Sequence, residues 1–108
     1  MEAGVEMPAR DAEGYLVEPT EWNEGIAEAL ARELGIALED DHWDVIRHMR
    51  ELWEERQVAP DVRHVIKHLE KRYPGTGRKR LFELFPYGYP GQACKIAGMK
   101  RPRAWSTG

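Results

Sequence analysis

Apolar residues recur at helical spacing through most of the chain. Trp22, Ile26, Leu30 and Leu34 follow one another every four residues, which puts them on one face and predicts an amphipathic helix over residues 21–34. Thr20 is its expected N-cap, acidic side chains fill its first turn, and Gly35 supplies a left-handed stop. A second helix opens at Asp40 or Asp41 and runs to about Gln57, because Trp43, Ile46, Met49 and Trp53 keep three- and four-residue spacing. Ala59-Pro60-Asp61 reads as a fresh start, since proline is tolerated at the first helical position; Val62, Val65, Ile66 and Leu69 then form the stripe of a third helix ending near Arg72.

Past that point the chain is punctuated. Tyr73-Pro74-Gly75-Thr76-Gly77 breaks the pattern, and residues 78–85 form a short helix with Leu81, Leu84 and Phe85 inward. A second breaker, Pro86-Tyr87-Gly88-Tyr89-Pro90-Gly91, precedes a two-turn helix over residues 92–97 that Gly98 ends. Residues 1–19 carry turn signals around Asp11-Ala12-Glu13-Gly14 and then the apolar run Tyr15-Leu16-Val17, so a small β-hairpin is expected there. The fold class that results is mainly α: one small orthogonal bundle of about five helices over residues 20–98, an N-terminal β-hairpin, and a flexible C-terminal arm over residues 99–108.

Composition supports one folded unit. The chain has 108 residues, 42% hydrophobic and 32% charged, enough for one core of ordinary domain size. It has no apolar run long enough to span a bilayer, and its N-terminus is acidic where a signal peptide is basic and then apolar, so a cytoplasmic location without membrane association is expected. Charge adds a division that periodicity does not show. Residues 1–62 carry 17 acidic and 5 basic side chains, whereas residues 63–108 carry 2 acidic and 11 basic. Such a basic half either draws an anionic partner, an acidic protein or a nucleic acid, or pairs with the acidic half inside one fold.

Candidate chemistry centres on Cys94, the single cysteine. With no second thiol it makes no internal disulfide, so any redox step on it is intermolecular. Its expected place near a helix start, beside Lys95 and upstream of Lys100, Arg101 and Arg103, favours the thiolate, which attacks sulfane sulfur or disulfides. The competing reading is a buried thiol acting as a small hydrophobe. His64 and His68 have the four-residue spacing of a metal pair, but Val65 stands where a zinc-protease motif needs glutamate and no third ligand is evident, so no metal is assigned. Arg63 and Lys67 on the third helix are candidate nucleic-acid contacts if the second and third helices form a helix-turn-helix, and otherwise lie on solvated faces of packed helices; Arg78-Lys79-Arg80 is a separate candidate phosphate contact, its alternative being a solvated loop.

Several of these stretches also carry a resemblance. Glu13-Gly14-Tyr15-Leu16, the run Asp41-His42-Trp43-Asp44-Val45-Ile46-Arg47, Ala59-Pro60-Asp61-Val62-Arg63, and Leu84-Phe85-Pro86 through Gln92-Ala93-Cys94-Lys95-Ile96-Ala97-Gly98-Met99 resemble the TusE/DsrC/DsvC family, in order and over nearly the whole chain. The resemblance implies a small helical protein whose C-terminal arm carries sulfur between partners. These are either sulfurtransferase relay proteins leading to tRNA thiolation or a dissimilatory sulfite reductase; no tightly bound cofactor of its own is implied. It also implies a principal sulfur-bearing cysteine eleven residues after the Cys94 position, where this chain has Trp105. Cys94 matches only the family's upstream cysteine. The resemblance therefore leaves two readings: a persulfide carrier working through Cys94, with Lys95 supporting its thiolate and Lys100, Arg101, Arg103 and Trp105 meeting the partner, or a non-catalytic regulatory or nucleic-acid-binding relative.

Overall fold

The computed structural model describes residues 7–100. Within them a 3₁₀ turn (Pro19–Glu21) leads to α1 (Glu24–Glu33), α2 (Asp40–Arg56), α3 (Val62–Glu70) and α4 (Gly77–Leu84), and a π-helical segment (Tyr89–Cys94) closes the order. The bundle forms because each helix has an apolar stripe with nowhere else to go. Ile26 and Leu30 of α1, Val45, Ile46 and Met49 of α2, Val65 and Leu69 of α3, and Leu81 and Leu84 of α4 meet in one core. Each of the large aliphatic side chains contributes about 1.5–3 kcal/mol by leaving water.

The helix ends follow local side-chain chemistry. Asn23, not Thr20, caps α1: its side-chain oxygen accepts from Ile26 N at 2.9 Å. Thr20 is diverted because Pro19 starts a 3₁₀ turn in which Glu18 accepts from both the Thr20 backbone and its hydroxyl. Asn23→Ala is expected to cost about 1 kcal/mol, read as a lower urea midpoint at unchanged slope. Glu39 and His42 form a reciprocal capping box on α2, and the second ring nitrogen of His42, Nε2, pairs with Leu84 O at 2.9 Å, tying the start of α2 to the end of α4. Asp61 caps α3 by accepting from Arg63 N, so Pro60 lies outside the helix instead of opening it. Glu70 reaches across the tight turn and accepts from Gly75 N and Gly77 N at 2.6 and 2.8 Å. A Cβ at Gly77 would lie 2.8 Å from Ile66 O, so only glycine lets α3 and α4 approach this closely.

The N-terminal β-hairpin does not form among the described residues. One antiparallel bridge joins Arg10 to Leu16, and the chain between them is a closed loop. Asp11 Oδ1 accepts from the backbones of Glu13 and Tyr15, which consumes the groups a ladder would use. Pro19, which has no N–H, then ends any further pairing. Tyr15 and Leu16 are instead buried in the helical core.

Among the described residues no helix is long and apolar enough to cross a membrane. The core also extends further along the chain than periodicity suggests. Met99, assigned to the arm by pattern, is fully buried, and its N–H donates to Cys94 O at 3.0 Å. Arg101, Arg103 and Trp105, the remaining arm residues singled out, lie outside the described residues.

Candidate functional site

The segment 85–99 runs through the protein as part of its core. Phe85, Tyr89, Gln92, Ala93, Cys94, Ile96, Ala97 and Met99 are all buried. A π-turn replaces the expected helix start, so Cys94 ends a widened turn and gains nothing from N-terminal amides. Burial pushes its thiol up to about 12, opposed only by its hydrogen bond with the Tyr89 hydroxyl. The expectation of a stabilised thiolate is thus reversed in this conformation: desolvation disfavours the charged form more than one hydroxyl helps it. At neutral pH Cys94 is a thiol. Its protonated state favours the fold below the ordinary thiol range, and this contribution is lost as pH rises from about 9 toward about 12.

Tyr89 is the neighbour that matters most. Its hydroxyl donates to Pro60 O at 2.7 Å while remaining in contact with Cys94, and burial together with the nearby thiol raises its own pKa. Lys95 does not serve the thiol here. Its ammonium lies 5.0 Å from the centre of the Tyr15 ring, and its charge adds, after the Arg10 hydrogen bond, to what lowers the pKa of Glu33. Tyr15 in turn donates to Pro90 O at 2.9 Å, so the N-terminal loop latches the start of the π-turn.

A second clamp holds the other end. Trp22 Nε1 donates to Ile96 O at 2.8 Å and Arg50 Nη1 donates to Ala97 O at 3.1 Å. The Arg50 guanidinium is stacked 4.7 Å from the Trp22 ring and 4.9 Å from the Trp53 ring, a cation between two aromatic faces. Gly98 follows at φ +77°, and Lys100 emerges exposed beside Trp53 and Val58. The places where residues from one end of the sequence meet carbonyls from the other are what spacing alone misses. The signals available beforehand were a tryptophan ahead of a helix and an arginine between tryptophans, and neither specifies a partner.

The remaining candidates separate. Arg80 is not a free phosphate contact: it binds Asp41 through Nε at 3.1 Å and Nη2 at 2.7 Å, and Glu83 at 3.2 Å, which raises its pKa. Arg63 turns back to its cap Asp61 at 3.1 Å. Lys67, Arg78 and Lys79 are exposed. His64 and His68 do not converge on a site, because His68 pairs with Asp44 at 3.0 Å and stacks on His48 at 4.0 Å. Desolvation and the neighbouring His68 lower the pKa of His48. Among the described residues no group of three or more His, Cys, Asp or Glu side chains is placed to hold a metal ion.

One further surface adjoins the thiol. Tyr89 lines an open groove of about 440 Å³ that it shares with Tyr15, Val62, Arg78, Phe82 and Tyr87. These features define a helical protein that keeps a single thiol within a clamped segment, one tyrosine away from an open surface.

The chain belongs to the DsrC-like family: the family model described as "DsrC like protein" matches residues 3–104. It is 42% identical over 96 residues to the sulfurtransferase TusE of Pectobacterium atrosepticum, a match covering 87% of this chain and 88% of the relative. Among solved structures it is similar to the oxidized gamma-subunit of the dissimilatory sulfite reductase (DsrC) from Archaeoglobus fulgidus, with a TM-score of 0.81 and 37% identity over 88% of this chain and 89% of that one. It is likewise similar to DsrC of Allochromatium vinosum, with a TM-score of 0.74 and 42% identity over 87% and 86% of the two chains.

Proposed function

We propose that this protein is a sulfur-relay carrier that takes sulfane sulfur onto Cys94 and hands it to a second protein. The observation that carries the reading is the position of Cys94, the chain's one thiol, directly behind a tyrosine that lines an open groove, in a family whose relatives include sulfurtransferases. The partners are relay sulfurtransferases or, by likeness to DsrC, a dissimilatory sulfite reductase.

The exchange is balanced without an added oxidant. The Cys94 thiolate attacks the terminal sulfur of a partner persulfide, the partner's S–S bond breaks, and the partner leaves as a thiolate that takes up the proton released from Cys94. Cys94 is then the persulfide, and the reverse of this step on an acceptor thiol unloads it. A thiol with no exposure reacts only when the π-turn opens, which means releasing Tyr15 from Pro90 and Tyr89 from Pro60. Closing again shields the loaded sulfur from water and stray thiols. Lys100, with Arg101 and Arg103 beyond it, supplies positive charge for an acidic partner. Trp105, at the family's arm-tip position, supplies an apolar contact in place of a second sulfur.

Intact-mass measurement after incubation with inorganic polysulfide tests the reading. The wild type is expected to gain one sulfur, removable by dithiothreitol, and Cys94→Ser to gain none. Alkylation by iodoacetamide near pH 8 is expected to be at least a hundredfold slower in the folded protein than in urea, since so little thiolate is present at a pKa of about 12. The absence of any adduct across the pH range, in polysulfide or with a persulfidated sulfurtransferase, rejects the carrier role.

A further inference from the structure

Two large side chains stand in water beside the route to Cys94. Tyr87 is 86% exposed and Phe82 is 47% exposed, and both line the groove that has Tyr89 at its inner side. The backbone of Tyr87 is nevertheless held in place. Its backbone N–H donates to Oε1 of the buried Gln92 at 3.0 Å, and the turn it belongs to is closed by Gly88 N donating to Phe85 O at 3.1 Å over the buried Phe85. An exposed tyrosine on a pinned loop gives up little conformational freedom when covered, which is the property of an interface anchor. Arg78 lies one helical turn before Phe82 on the same wall, exposed and without an ion pair among the described residues, and Lys79 follows it.

From this arrangement we infer that the groove between α4 and the π-turn is the docking surface for an acidic segment of a protein partner, with an apolar side chain seated against Phe82 and Tyr87 and a carboxylate on Arg78. Tyrosine and arginine are the residue types that carry interface energy, and a guanidinium takes a carboxylate through paired hydrogen bonds. Charge selects a protein over a nucleic acid. The groove offers Arg78 but no basic track, since Lys79 lines a separate cleft with Tyr73 and Glu83, Arg80 is held by Asp41 and Arg63 by Asp61. Residues 1–62 repel a polyanion, because they hold 17 acidic side chains against 5 basic ones. A short acidic segment meets the local positive charge without spanning the acidic half. The inference rests on the relay reading above, because the docked segment would lie against Tyr89, whose hydroxyl touches the Cys94 thiol.

The test selects binders from a random peptide library displayed on phage against the full chain, then maps the best synthetic peptide by amide chemical shifts. Enriched peptides are expected to pair Asp or Glu with a bulky apolar residue and to shift amides of residues 78–91. Tyr87→Ala and Arg78→Glu are each expected to weaken that peptide at least tenfold, Arg78→Lys less, and the distant Arg32→Glu not at all. Peptides without an acidic signature, shifts centred elsewhere, no enrichment, or bulk tRNA that binds this face with the same dependence on Tyr87 and Arg78 would each overturn the inference. Polysulfide loading of Cys94 is measured on the same proteins. Loading without peptide docking removes the groove and leaves the carrier, whereas docking without loading removes the carrier and leaves the groove.

Discussion

Gly98→Ala is expected to destabilise the fold by about 4 kcal/mol and to lower Tm by roughly 20 °C. Two costs combine. At φ +77° an alanine pays about 1 kcal/mol for a left-handed backbone. Its Cβ would also lie 2.3 Å from Cδ1 and 2.6 Å from Cγ of Trp22, far inside any contact distance. Trp22 has nowhere to retreat without losing its hydrogen bond to Ile96 O and its face on Arg50, which leaves a carbonyl in the clamp unpaired at about 1–3 kcal/mol. A double-mutant cycle isolates the clash. In a Trp22→Ala background, which removes Cγ and Cδ1 and leaves only the Trp22 Cβ 2.8 Å from the new methyl, the same change is expected to cost about half as much, near 2 kcal/mol. A Tm loss of under 5 °C in the wild-type background, or full additivity in the cycle, sinks the account.

The second large effect is expected at Asp41, where Asn is predicted to cost about 3 kcal/mol at pH 7. The carboxylate is buried at the first turn of α2 and accepts from the Tyr73 hydroxyl, from Arg80 at 2.7 and 3.1 Å and from Arg72 at 2.9 Å. Removing one member of a buried ion pair usually costs ~3–5 kcal/mol; the low end applies because Arg72 is half exposed and keeps part of its hydration. The Tyr73 hydrogen bond first, then Arg80 and the nearby charge of Arg72, hold the Asp41 pKa below its ordinary value. A depressed acid stabilises the fold above its unfolded pKa and loses that contribution as pH falls through the folded one. The gap between wild type and Asp41→Asn in urea titrations should therefore be full at neutral pH and close below about pH 4. A gap unchanged down to acid unfolding would show that the charge of Asp41 contributes nothing.

Much of the helical order is legible without coordinates because it depends on near neighbours. The stripe from Trp43 to Trp53 fixes α2 within a residue of its observed bounds, and the Pro60-Asp61 start and the glycine-rich breaker place α3 and α4 nearly as well. Thr20 fails as a cap because a proline one residue earlier sets a different turn, and Asn23 offers the same chemistry three residues on. The hairpin fails for a different reason. Tyr15 and Leu16 alternate weakly enough to read as a strand, but the free energy of burying them against the helices exceeds what a two-stranded pairing offers.

The candidate site divides along the same line. That Cys94 is the chain's one thiol, that it sits in a glycine-bounded turn and that charge gathers after it follow from the order of residues, since each is a matter of composition or local spacing. Its electrostatic state does not. Whether a neighbouring lysine supports a thiolate depends on where its ammonium goes, and Lys95 goes to Tyr15, some eighty positions earlier in the chain. Arg80 reads as a surface cation until Asp41 folds against it, and Trp22 and Arg50 read as helix-face residues until they close on Ile96 and Ala97. Sequence by itself determined the helices, the lone thiol and the split of charge. Tertiary structure alone decided that the thiol is buried, clamped from both ends and set behind Tyr89, because burial and long-range hydrogen bonds are properties of the packed chain.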